Sequence, residues 1–115
     1  MVKRQKQLRL RVMAEYASLG IWVIEGVGPF RHGMIEHASL NLPLALAQGF
    51  EAWIEGYNDN LGLDGAIFDV HAFNAKGLRL ATDLKRHLGP DVYVELIPEN
   101  AGGELGVAHE ILLNT

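Results

Sequence analysis

The chain of 115 residues has no cysteine, which excludes disulfides, thiolate metal ligands and cysteine nucleophiles. That absence is compatible with a reducing compartment, and a cytoplasmic location is the expectation. Serine is scarce: Ser18 and Ser39 are the only two, and neither lies in a G-x-S-x-G strand-to-helix elbow. Apolar runs stop at four or five residues, far short of a membrane span, and no apolar block of secretory length follows the basic N-terminus. Basic excess is also missing, since the formal net charge is -4. Neither G-x-G-x-x-G nor G-K-[S/T] completes Gly26-Val-Gly28, and Pro29 makes that stretch a tight turn. Asn58-Asp-Asn60 with Asp64-Gly65 lacks the ligand alternation and closing Glu of a calcium loop. No cofactor is expected.

What is present suits one folded domain over 1–115. Hydrophobic residues make up 49% and charged residues 21%, so the chain can bury a core and is not of disordered composition. The charge is unevenly placed. Lys3, Arg4, Lys6, Arg9 and Arg11 are half of the ten basic residues, and from Val12 onward five basic side chains face fourteen acidic ones. Residues 1–7 read as a basic, solvated arm. Without interleaved aromatics it does not make a nucleic-acid site, and the acidic body favours a basic protein partner.

Leu42 to Leu61 is the strongest helix signal. Leu46, Phe50, Trp53, Tyr57 and Leu61 follow at spacings of four, three, four and four, while Glu51, Glu55 and Asp59 line another face. A second helix carries Phe73, Gly77, Leu80, Ala81, Leu84 and Leu88 on one face, with Asp69 as cap and Gly89-Pro90 as stop. Alternation predicts strands at Leu8 to Glu15, Gly20 to Glu25 and Val92 to Ile97. Residues 26–41 read as a loop with room for a short strand. In the extension 99–115, Asn100-Ala-Gly-Gly103 reads as a hairpin loop and Leu105 to Leu113 as a returning fourth strand, with a short helix as the rival. The expected fold is therefore α+β: a two-layer sandwich in which a small, mainly antiparallel sheet, β-β-α-α-β with a C-terminal fourth strand, is covered on one face by two helices. Its far face, with Met13, Trp22, Ile24, Tyr93 and Ile97, is too apolar for solvent and predicts a partner or a homodimer there.

Four pieces resemble a family of small, mostly uncharacterised bacterial proteins, some of them associated with immunity proteins of toxin systems. They are Arg11-Val-Met-Ala-Glu-Tyr16 with Gly20-Ile-Trp22; Leu42-Pro-Leu44 followed by Trp53 and Tyr57; Lys76-Gly-Leu-Arg-Leu-Ala81 with Leu84, Leu88 and Gly89; and Val92 to Leu96. The resemblance spans roughly residues 8 to 98 and rests mostly on core and cap positions, so it transfers a fold and no functional residue. It implies a non-enzymatic domain that neutralises a toxin by direct binding. A toxin that acts on nucleic acid would be basic, so Glu51, Glu55 and Asp59 are the candidate contacts, with Trp22 as apolar anchor. The alternative is a small enzyme or a metal- or ligand-binding domain with its pocket near 26–41, using His32, Glu36 and His37, although H-E-x-x-H is absent.

Overall fold

The computed structural model describes residues 7–15, 18–60, 69–99 and 106–113, with the side chains of 58–60 excepted. The arm at 1–6, the turn-rich connection at 61–68 and the hairpin loop expected at Asn100 to Gly103 lie outside the described residues.

Strands β1 (Arg9–Val12), β2 (Ile21–Glu25) and β3 (Gly33–Met34) come first, and a 3-10 turn follows at His37–Leu40. Helices α1 (Leu44–Asn60) and α2 (Val70–Leu88) precede β4 (Tyr93–Leu96) and β5 (His109–Glu110). Together the strands make one five-stranded sheet in the order β3-β2-β1-β4-β5. The α+β class expected from the sequence holds. Two details of the sheet differ.

The sheet is mixed, because its central pair, β1 and β4, is parallel, whereas β1–β2, β2–β3 and β4–β5 are antiparallel. A parallel neighbour needs a long crossover, and the two helices between β2 and β4 provide it. Alternation within a strand reports which face is buried and carries no record of direction or neighbour. The count also differs: β3 forms inside the loop at 26–41, and the C-terminal strand is confined to His109 and Glu110 among the described residues.

One face of the sheet is the core. Leu10, Val12, Ile21, Val23, Val94 and Leu96 are buried there beneath Leu46, Phe50, Trp53 and Ile54 of α1 and Leu80, Ala81 and Leu84 of α2. Phe50 is fully enclosed, and burying a side chain of that size contributes about 2 to 3 kcal/mol. The helical seam read from the sequence is matched at Leu46, Phe50 and Trp53, while Tyr57 is half-buried and Leu61 lies outside the described residues.

The helices meet closely at Gly77, where an added Cβ would stand 2.8 Å from Cζ2 of Trp53. That indole is held from two sides: its Nε1 donates to the carbonyl of Phe73 at 3.0 Å, and its ring stacks on Phe73 with centroids 4.7 Å apart. The expected caps of α2 are present. Asp69 accepts from the Ala72 amide at 3.0 Å, and Gly89 closes the helix at φ 89°, a left-handed conformation that favours glycine.

Candidate partner-binding surfaces

The face of the sheet turned away from the helices is built by alternation. Met34, Trp22, Arg11, Glu95 and Glu110 are successive cross-strand partners, so they form one row across all five strands. The centre of this row is ionic. Arg11 Nε donates to Glu95 Oε2 at 2.6 Å, and Tyr93 donates its hydroxyl hydrogen to Glu95 Oε1 at 2.9 Å. Glu95 is only 4% exposed, so these two donors replace the water it has lost.

Beside the row, Arg9 lies over the Tyr93 ring at 4.1 Å and approaches Glu25 at 3.9 Å. A bulge between Arg9 and Leu10 sets that pairing: Leu10 faces Val23 while Arg9 faces Glu25, so Glu25 joins the outer face. The far face is thus less apolar than the sequence implied. Met13, Trp22, Ile24, Tyr93 and Ile97 are all half-buried, with paired charges among them, and Met34 is half-exposed at the edge. Trp22 is fixed in place, since its indole N–H donates to the Met13 carbonyl at 3.1 Å.

The acidic residues of α1 lie in the other layer. Glu51 and Glu55 are exposed one turn apart, opposite the buried side of Phe50, Trp53 and Ile54. Asp59 belongs to the last turn of the helix, and its side chain lies outside the described residues. Trp22 and the acidic row therefore occupy opposite layers and do not converge on one patch.

The loop residues do not converge either. His32 and Glu36 are exposed, but His37 is buried, with Nε2 at 2.8 Å from the Leu19 carbonyl and its ring 5.6 Å from Phe50. A carbonyl only accepts, so Nε2 carries the proton there and is not free to ligate a metal. Among the described residues no group of three His, Asp or Glu side chains could hold a metal ion.

Sequence reasoning missed Glu99. The Asn74 side chain clamps its backbone, accepting from the Glu99 amide at 2.9 Å and donating to the Glu99 carbonyl at 2.7 Å. Its carboxyl is pushed above the usual range: burial is the main cause, nearby Glu15 adds to it, and a hydrogen bond with Tyr57 opposes it. Burial also raises the Tyr57 hydroxyl, and Glu99 and Glu15 reinforce that shift. No local pattern marks Glu99, because α1, α2 and the ends of β1 and β4 must first come together around it.

No helix among the described residues is long and apolar enough to cross a membrane. The structure is that of a small α+β domain whose most developed polar construction is an ion-paired sheet face, with an exposed acidic helix on the other layer. The family model described as Serratia CdiI immunity protein-like matches residues 8–99. The chain belongs to that family. Among curated proteins none matches the chain.

Proposed function

We propose that the chain is a non-enzymatic immunity protein that neutralises a toxin by direct, stoichiometric contact. The observation that carries this reading is membership of the immunity protein-like family over residues 8–99. Charge supports a basic partner, because the body beyond Val12 is strongly acidic and Glu51 and Glu55 are exposed on α1. Asp59 extends the same helical row in sequence. Complementary charge at such a surface speeds encounter more than it deepens final affinity.

Trp22 is the proposed apolar anchor of a separate contact on the sheet face, where Met34 stands half-exposed beside it. Because the two surfaces lie in opposite layers, a toxin engaging both would have to wrap the domain. A toxin engaging only α1 would leave the sheet face to a second copy of the chain. Co-expression with the product of the neighbouring gene tests the reading: that product should be toxic alone, harmless with this protein, and retained by it in a one-to-one complex. A neighbour that is neither toxic nor retained overturns it.

A further inference from the structure

The two helices carry opposite charge on the side turned away from the sheet. Glu51 and Glu55 are exposed on α1, and Lys76 and Arg79 are exposed on α2. None of the four makes an ion pair with another described residue. Each helix thus presents one sign of charge, and the two rows lie side by side in one layer.

Three contacts fix how the rows align. An added Cβ at Gly49 would stand 2.8 Å from Cδ2 of Leu80, Gly77 meets Trp53 in the same way, and the rings of Tyr57 and Phe73 lie 5.7 Å apart. Residue numbers rise along α1 as they fall along α2, in nearly equal steps, so the helices are antiparallel. By the same register Glu51 is level with Arg79, and Glu55 with Ala75 and Lys76. Leu44, 73% exposed at the start of α1, is level with Arg86.

A pair of antiparallel helices admits a two-fold axis parallel to both, midway between them and just above the layer. Rotation about it keeps every residue at its own height and exchanges left for right, so α1 of one copy lies antiparallel on α2 of the other. Glu51 then faces Arg79 and Glu55 faces Lys76, each twice by symmetry. The exposed alanines Ala52 and Ala75 let the helices approach, and the Arg86 stem covers Leu44.

We propose that this face binds a second copy of the chain in that two-fold arrangement. The complementarity is a match of sign and height together, which the chain supplies to itself. A contact built on exposed ion pairs and small side chains is weak and sensitive to salt, so the chain is monomeric in dilute solution. Glu51 and Glu55 are also the carboxylates proposed for toxin contact, so a toxin bound there displaces the partner copy. The self-association itself does not depend on the toxin reading and is tested without a toxin.

Sedimentation equilibrium of the full chain over a concentration series at low and high salt is the test. A monomer–dimer equilibrium weakened by salt is expected, with concentration-dependent amide NMR shifts on the exposed sides of α1 and α2. Glu51→Lys with Glu55→Lys should weaken the dimer at least about tenfold, and so should Lys76→Glu with Arg79→Glu. All four substitutions are on exposed side chains, and combining them in one chain keeps the parent's net charge while exchanging the two rows. The fourfold variant should recover dimerisation. A strict monomer at every concentration overturns the proposal, as does a dimer indifferent to the reversals or one whose shifts fall on Trp22 and Met34. Failure of the fourfold variant to recover, with its fold intact, overturns the two-fold pairing.

Discussion

Arg11 and Glu95 are 84 residues apart in the chain and meet at 2.6 Å, side by side on the two parallel strands at the centre of the sheet. Their contact ties the N-terminal hairpin to the segment that follows the helices. It also sets the character of the outer face, since the Glu95 carboxylate would otherwise be buried with Tyr93 as its remaining donor.

Removing one partner should therefore cost more than removing both. Arg11→Met leaves Glu95 short of its strongest donor and should destabilise by about 1 to 3 kcal/mol, the range for a buried polar group left underpaired, because Arg11 is itself partly exposed. The double variant Arg11→Met with Glu95→Leu should recover much of that loss. Urea unfolding of the two singles and the double measures the coupling, and strict additivity would show that the pair contributes nothing.

Glu99 predicts a pH dependence with a definite sign. Its folded pKa is raised above the unfolded value, chiefly by burial, so the protonated form is the one the fold favours. Its stabilising contribution is complete below the unfolded pKa and is lost as pH rises through the folded one. Glu99→Gln keeps the neutral shape. That variant should be more stable than the parent at neutral pH and lose this part of the pH slope, as read from denaturant midpoints across the acid range.

Gly77 predicts a packing penalty. A methyl there would stand 2.8 Å from the Trp53 ring, which its hydrogen bond to Phe73 and its stacking prevent from moving freely. Although alanine is the better helix former, Gly77→Ala should lose about 1 to 3 kcal/mol, and the melting temperature should fall by several degrees.

On α1, Glu51→Lys with Glu55→Lys should slow association with a basic toxin at low salt while leaving the melting temperature nearly unchanged, since both side chains are exposed. The difference from the parent should shrink as salt screens the charges. Rates measured across an ionic-strength series would show it. A salt-independent effect would move the contact elsewhere, with Trp22→Ala as the matching variant of the sheet face.

Legibility from sequence differed by element for physical reasons. The faces of α1 and α2 were readable because helical periodicity is local, and so were Asp69 and Gly89, whose capping roles depend on residues a few positions away. The loop histidines misled in one respect: His37 belongs to the core, where the Leu19 carbonyl and Phe50 hold it, and no periodic pattern in 26–41 marks that burial.

By itself the sequence determined the two helices, the strand alternation, the acidic balance of the body and the resemblance to toxin-immunity proteins, all properties of neighbouring residues or of composition. Tertiary structure alone decided that β4 runs parallel to β1, that Arg11 meets Glu95, that Glu99 is clamped by Asn74, and that Trp22 and the α1 carboxylates lie in opposite layers. Those outcomes depend on which distant segments become neighbours. That choice is made by burial of the whole core at once, and no short stretch of sequence encodes it.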